Sequence, residues 1–182
     1  MTAFRSFVAV LALIAVGTMV GCAAGTQKSP DVSDSIRSAL DSAGLESVSV
    51  SQDRDKGIVT LDGQVASDGA KAQAESLARS FAGAQVVANQ IDVIPVGGEA
   101  DARAVNAALD KGIEMNLDAA LIQNKMQDIV KYAVKSGVVT LTGEVNSQEQ
   151  RDGAERVAKG VPNVQQVVND MQVKDQKARS SK

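Results

Sequence analysis

The sequence contains one nine-residue pattern twice, at positions 57–65 and again at 137–145, a fixed distance of 80 residues. Six of the nine residues are identical in the two copies: glycine, valine, threonine, leucine, glycine and valine. The likeness continues downstream without a gap through Asn89 and Asn169. A repeat of this kind is one supersecondary unit or small domain. The chain is therefore an internal duplication, and both copies must share one fold.

Each copy predicts the element order helix, strand, strand, helix, strand. In the first copy, apolar residues at helical spacing predict a helix over 31–43, begun by Ser29, Pro30 and Asp31. Alternation over 47–51 predicts a strand that forms a hairpin with the repeated block. A second helix follows the cap Ser67, and a third strand ends the copy. In the second copy the cap is Ser147, which with Gln150 predicts a capping box. The predicted class is α+β: two tandem domains, each αββαβ with a small three-stranded mixed sheet covered by two helices.

The core of each copy must be almost wholly aliphatic, because aromatic residues make up 2% of the chain. Phe81 and Tyr132 are the expected large fillers. A domain of about 60 residues buries a smaller share of its surface than a larger one does. We therefore expect the two copies to pack together.

The first 21 residues have the layout of a bacterial secretory signal. Arg5 is their only charge, and a mostly apolar run over 7–20 is short of the roughly 20 residues that span a bilayer. The only cysteine, Cys22, ends a tetrapeptide at 19–22 that resembles a lipobox. This resemblance implies lipidation of Cys22, which then becomes the mature N-terminus. The alternative is cleavage after Ala23 or Ala24, which would discard the thiol.

These features divide the chain into six segments. They are a lipoprotein signal peptide over 1–21, a tether over 22–30, a first domain over 31–95, a linker over 96–100, a second domain over 101–174 and a basic flexible tail over 175–182. Loss of the signal removes one of the 19 basic residues and leaves 22 acidic ones, a net charge of about −4. No nucleic-acid partner is expected of such a chain.

The residue types exclude the common catalytic sites. The chain has no histidine, and its one cysteine stands at the signal boundary, so Ser-His and Cys-His pairs are excluded. Zinc sites with nitrogen or sulfur ligands are excluded for the same reason. Asp53, Asp55 and Gly57 faintly resemble a calcium loop but lack its later glutamate, and a hairpin turn is favoured. We expect no catalytic residue, metal or cofactor, and no enzyme.

Two pairs of identical residues at equivalent positions of the repeat are assigned to the fold and not to function. Gly63 and Gly143 predict a bulge or a close approach at a strand end. Asn89 and Asn169 predict side-chain hydrogen bonds to neighbouring backbone.

The element order, the G-[IV]-V-T-L-x-G-x-V block and the closing V-x-N-x-[IM]-x-V block together resemble the BON domain, over about residues 31–175. Two BON domains behind a lipobox resemble the dual-BON lipoproteins of the bacterial outer membrane, the DolP-like group. They resemble more distantly the soluble periplasmic OsmY-like proteins. The signature carries no catalytic motif.

The resemblance implies phospholipid binding, with contact to anionic lipid by the first helical region of the second domain, here 101–126. The candidate contact residues are Val105, Leu109, Lys111, Ile113, Leu117, Leu121 and Lys125. Acidic residues balance the basic ones, unlike in a basic membrane-surface helix. The alternative is that the apolar side is simply core. Asn116 to Asp118 could restart a helix, so one helix and two remain alternatives.

The leading hypothesis is a lipid-anchored protein of the cell envelope, at the outer membrane and facing the periplasm. Its BON pair would bind phospholipid, envelope proteins or both, and so support outer-membrane integrity. The alternative is a soluble periplasmic stress-response protein that acts like a chaperone. The sequence leaves the binding face, the strand order and the oligomeric state open.

Overall fold

A computed structural model describes residues 28–174 as two similar α+β domains. The elements of the first domain are α1 (Ser33–Ser42), β1 (Val48–Asp53), β2 (Ile58–Val65), α2 (Asp68–Ala82) and β3 (Val86–Val93). Those of the second are α3 (Glu99–Gln123), β4 (Lys131–Lys135), β5 (Val138–Val145), α4 (Gln148–Lys159) and β6 (Gln166–Val173). The predicted signal peptide, Cys22 and the basic tail lie outside the described residues.

Both sheets have the same topology and register. The strand orders are β1-β2-β3 and β4-β5-β6, and in each sheet the first two strands are antiparallel and the last two parallel. Leu61 lies opposite Asn89 in one sheet, and Leu141 lies opposite Asn169 in the other. The predicted αββαβ order and the small mixed sheet are confirmed in both copies.

The start of α1 differs from the expectation, since neither Ser29 nor Pro30 belongs to the helix. The Asp31 carboxylate accepts hydrogen bonds from the Ser33 amide, at 3.2 Å, and from the Ser33 hydroxyl, at 2.8 Å. These bonds hold the pKa of Asp31 below its usual value. Pro30 instead lies beside the hairpin, where its carbonyl accepts from the Gln52 side chain at 2.7 Å.

The predicted caps of α2 and α4 are confirmed. The Ser67 hydroxyl accepts from the Ala70 amide at 3.2 Å, and the Ser147 hydroxyl accepts from the Gln150 amide at 3.3 Å. The side-chain oxygen of Gln150 accepts a hydrogen bond from the Asn146 backbone amide at 2.9 Å. In a standard capping box it would accept from the amide of the cap residue itself, Ser147, which is one residue later.

Each core lies between one face of a sheet and the two helices above it. The cores are aliphatic, as predicted, but Phe81 is 43% exposed and fills neither of them. The buried line of α2 is Ala74, Ala78 and Ala82, whose small side chains let the helix lie close to the sheet. Phe81 falls beside that line. Tyr132 is half-buried, and its hydroxyl donates to Asp118.

The opposite faces of the two sheets meet each other. Ile58, Ala88, Val138 and Val168 form a separate apolar cluster there, which we call the junction cluster. Ile58 and Val138 occupy equivalent positions of the repeat, as do Ala88 and Val168. The copies therefore pack together, as expected, through an approximately two-fold contact of like surfaces.

Helix α3 is one continuous helix of 25 residues, and Asn116 lies in its interior. It is 15 residues longer than α1, its counterpart, which has 10. Among the described residues, no helix combines the length and apolarity needed to cross a membrane.

The repeated glycines lie where the backbones of two strands approach closely. Gly63 has φ +130° and Gly143 has φ +131°, a region that side-chain-bearing residues rarely adopt. A Cβ at Gly63 would overlap the carbonyl oxygen of Ser47, and one at Gly143 would overlap that of Ile129. Both copies thus require glycine for the same two reasons.

Substituting Gly63→Ala should lower the free energy of unfolding by about 3 kcal/mol or more, since the new methyl group meets backbone in a strained conformation. Gly112→Ala in α3 is the matched control. Its Cβ would meet open space, and alanine should stabilise the helix by up to ~1 kcal/mol. Denaturant unfolding measures both changes, and equal stability of the two variants would contradict the close approach.

Candidate functional site

Helix α3 has one side in the core of the second domain. Ile113, Leu117 and Leu121 are at most 1% exposed. These three of the predicted contact residues lie beneath the helix, between it and the sheet. In this fold they cannot touch a membrane or a partner.

The outer side of α3 carries a second set of apolar side chains. Val105, Leu109, Met115 and Ile122 are 45–64% exposed. At 3.6 residues per turn they lie within an arc of about 140° on the side away from the core. Exposed Ala104, Ala108 and Ala119 fall within the same arc. We call the four large residues the apolar stripe.

Two members of the apolar stripe were missed by sequence reasoning. Val105 and Leu109 were predicted contact residues, whereas Met115 and Ile122 were not. A sequence signal that could have identified them is their spacing. Ala108, Met115 and Ile122 follow one another at intervals of seven residues, which places all three on one side of the helix.

The charges beside the apolar stripe are balanced. The Lys111 ammonium donates to Glu114 at 2.9 Å, and this carboxylate raises the pKa of Lys111. Lys125 is exposed just beyond the helix end, with φ +56°. Burial and the hydrogen bond to Asp118 raise the pKa of Tyr132 on the strand beneath. The predicted cations are thus present at the surface, but acids accompany them.

The first half of α3 lies against the first domain. The Arg103 guanidinium donates to Gln64 at 3.3 Å, and the Asn106 amide donates to Asp92 at 3.4 Å. Asp110 accepts from two consecutive backbone amides of the β4–β5 turn, at 2.8 and 2.9 Å. The helix therefore bridges the domains, which fixes the direction in which its apolar stripe faces.

Polar contacts surround the junction cluster. Lys56 of the first domain pairs with Asp170 of the second at 2.6 Å, and Lys135 pairs with Asp62. The Asp170 side chain is 11% exposed, and its hydrogen bond and charge raise the pKa of Lys56. The Ser136 hydroxyl donates to Asp92 across the same boundary at 2.7 Å. The contact between the domains is therefore charged as well as apolar.

A cleft of about 340 Å³ lies between the domains, lined by α2 and β3 on one side and by α3, the β4–β5 turn and the loop before β6 on the other. Half-buried Lys71 reaches into it and donates to Gln165 at 3.4 Å. Burial lowers the pKa of this lysine. Asp92 and Asp110 line the cleft too, but both already accept hydrogen bonds from the turn. No group of metal-ligating side chains within residues 28–174 could hold an ion.

The repeated asparagines tie the last strand of each domain to its second helix. Asn89 donates to the Lys71 carbonyl at 3.2 Å and to Glu75 at 3.0 Å. Asn169 makes the equivalent bonds, to the Arg151 carbonyl and to Glu155, both at 3.1 Å. These bonds account for asparagine at both positions without a ligand.

Comparison with known proteins gives a family and a relative. The sequence profile of the BON domain matches residues 29–95 and 109–175. The chain is 32% identical over 142 residues to Osmotically-inducible protein Y of Escherichia coli (strain K12), and the alignment covers 76% of this chain and 69% of that protein.

Among solved structures, similarity is found to CdsD, a structural protein of the Type III secretion system of Chlamydia trachomatis. Its C-terminal domain is 14% identical, with a TM-score of 0.30, and the match covers 78% of this chain and 65% of that one. A second CdsD structure is 13% identical, with a TM-score of 0.31 and coverage of 81% and 66%. The chain spans less than two thirds of either structure.

Replacing Asp170→Asn should reduce the free energy of unfolding by about 1 kcal/mol at neutral pH and low salt, since the pair with partly exposed Lys56 is lost. A lysine whose folded pKa is raised stabilises the fold fully below its unfolded pKa, about 10.4. That contribution is lost as the pH rises through the folded value. The difference between wild type and variant should therefore shrink above about pH 10.4.

Denaturant unfolding at pH 7 and pH 11 measures this difference. Asp55→Asn is the control, because Asp55 pairs with Lys28 while both side chains are at least 60% exposed. That change should leave stability within about 0.5 kcal/mol of wild type. Equal stability of Asp170→Asn and wild type at pH 7 would show that the junction does not depend on this pair.

Proposed function

We propose that this chain, which belongs to the BON-domain family, is a non-catalytic binding protein of the bacterial cell envelope. Lipid on Cys22 holds it at the outer membrane, facing the periplasm. Its ligands are phospholipid, envelope proteins or both, and their binding supports outer-membrane integrity. The absence of histidine and the position of the only cysteine support a role without catalysis.

The exposure of the apolar stripe of α3 is the observation that best supports contact with a membrane. Its four side chains are about half exposed or more. Burial of one methylene contributes about 0.8 kcal/mol, so four such side chains supply several kcal/mol on entering the acyl boundary. A face of this kind on a soluble surface marks an interaction site.

The charges around the apolar stripe define the kind of surface it enters. Lys111 and Lys125 lie where they can meet headgroup phosphates, but neighbouring acids and a net charge of about −4 oppose strong attraction to anionic lipid. Contact therefore depends mainly on the apolar side chains and only modestly on the lipid charge.

A short tether makes such a weak contact effective. Ser29 is fixed to the first domain by two hydrogen bonds with Arg54, at 2.9 and 2.8 Å. The seven Cα-to-Cα steps from Cys22 to Ser29 span at most about 25 Å when fully extended. A lipid on Cys22 would hold the domains within that distance of the bilayer, so that a second contact becomes intramolecular.

Mass spectrometry of the N-terminal peptide tests the anchor. We expect a diacylated or triacylated Cys22 in the membrane fraction, and we expect Cys22→Ser to move the protein to the soluble fraction. An unmodified N-terminus beyond Cys22, in a soluble wild-type protein, would contradict the anchor without bearing on α3.

Vesicle flotation tests the apolar stripe. The variant replaces Val105, Met115 and Ile122 by serine and keeps Leu109, which lines the cleft between the domains. In the Cys22→Ser form, partition onto phosphatidylglycerol vesicles should fall at least tenfold, because each substitution removes two or more apolar carbons from the bilayer.

Val96→Ser is the matched control for flotation. Val96 is 88% exposed in the linker, outside α3, and its loss should leave partition unchanged. If the triple variant floated as well as this control, the membrane contact would lie elsewhere.

The second candidate function is a soluble periplasmic interaction protein that acts like a chaperone during stress. The similarity to Osmotically-inducible protein Y favours it. In that case the apolar stripe would meet exposed segments of other proteins, and the mature chain would be released without lipid.

A further inference from the structure

The side chain of Gln166 lies against the open edge of β3 in the other domain. Its amide donates to the Val87 carbonyl at 2.6 Å, and its carbonyl oxygen accepts from the Asn89 backbone amide at 3.2 Å. Both backbone groups flank Ala88. They belong to the edge of the sheet, because β3 pairs with β2 alone.

These two bonds are those made by a parallel strand. A residue of such a strand donates its amide to the carbonyl before its partner and accepts at its carbonyl from the amide after it. The Gln166 carboxamide makes the same two bonds around Ala88. It thus occupies one position of a missing fourth strand.

The edge of β6 lacks this cover. Its equivalent groups are the Val167 carbonyl and the Asn169 amide, which flank Val168. Because Asn169 has the same register as Asn89, these groups point away from β5, and among residues 28–174 no hydrogen bond outside the sheet is found for them. The repeat position equivalent to Gln166 is Val86, whose side chain has no polar atom.

The approximate two-fold relation of the domains places Val86 beside this edge. The junction cluster contains equivalent residues of the two domains. Two polar contacts between the domains also involve equivalent positions. Lys56 meets Asp170, and at the equivalent positions the Ser136 hydroxyl lies 3.1 Å from the Gln90 carbonyl. Val86 is 45% exposed, and Val167 and Asn169 are partly exposed, although Val168 itself is buried.

A basic group adjoins the same edge on its helix side. Arg151 donates to the Asn169 carbonyl at 2.8 Å, while its Nε is buried without a hydrogen-bond partner. The strand edge therefore lacks one donor and one acceptor, and a charged guanidinium lies beside it.

We propose that the edge of β6 binds an extended segment of another polypeptide as an added parallel strand, paired with Val168. The backbone of the segment supplies the two bonds that Gln166 supplies to β3. Its side chains alternate, so an apolar residue opposite Val168 faces Val86, and its neighbours face Arg151. The preferred segment is an apolar residue between acidic ones. This interaction is separate from membrane contact by the apolar stripe.

The repeat provides matched variants for the test. Val86→Gln places a carboxamide where it can bond to the Val167 carbonyl and the Asn169 amide of β6. Gln166→Val removes the corresponding bonds from the edge of β3. The probe is a fluorescein-labelled peptide, TEVEVT, measured by fluorescence anisotropy with the Cys22→Ser chain. Val86→Gln should weaken binding at least fivefold, and Gln166→Val should retain it and add a second site.

Two further measurements separate strand addition from apolar adhesion. A peptide N-methylated at its first valine cannot donate to Val167 and should bind at least fivefold more weakly. The triple serine variant of the apolar stripe should bind the unmodified peptide as wild type does. Failure of the wild-type chain to bind the probe, or equal binding by Val86→Gln, would overturn the proposal. Loss of binding in the triple variant would also overturn it and assign the segment to α3.

Discussion

The contact between the two sheets through the junction cluster governs the rest of the molecule. Each domain covers one face of its sheet with helices and leaves the other face with few apolar groups. Ile58 and Ala88 meet Val138 and Val168 across this gap, and ion pairs surround them. Because equivalent residues meet, a single small apolar surface present in the ancestral unit would serve both copies. In the duplicated chain, each sheet thus has the other as the partner of its uncovered face.

That contact also determines which surfaces remain for binding. With the domains face to face, the first half of α3 lies against the first domain, and the helix is held by both. Its core side cannot move outward, so the apolar stripe stays exposed. The same two-fold packing puts Gln166 on one strand edge and Val86 on the other. The copies differ at this position, since Gln166 has a carboxamide and Val86 has an aliphatic side chain. The edge of β3 is therefore hydrogen-bonded there, and the edge of β6 is not.

The sequence predicted the fold because the repeat and the local patterns agreed in both copies. The caps at Ser67 and Ser147 and the repeated glycines, Gly63 and Gly143, had clear local signals. Helix α3 was harder, since its apolar residues lie on two sides, and periodicity alone does not say which side meets the sheet. Ile113 and Val105 were therefore both predicted as contact residues, although only Val105 is exposed. The place of Phe81 and the partner of Gln166 depend on close packing and on the relation of the domains, and neither is a local property.

In the proposed function, a fixed α3 presents its outer side to a bilayer. The most direct test attaches an environment-sensitive dye to a cysteine at position 115, in the Cys22→Ser background, and adds phosphatidylglycerol vesicles. A second protein carries the dye at position 81, which is also exposed but lies outside α3. We predict a blue shift of emission for the dye at 115 and none for the dye at 81. No shift at 115, or equal shifts at both positions, would contradict the account.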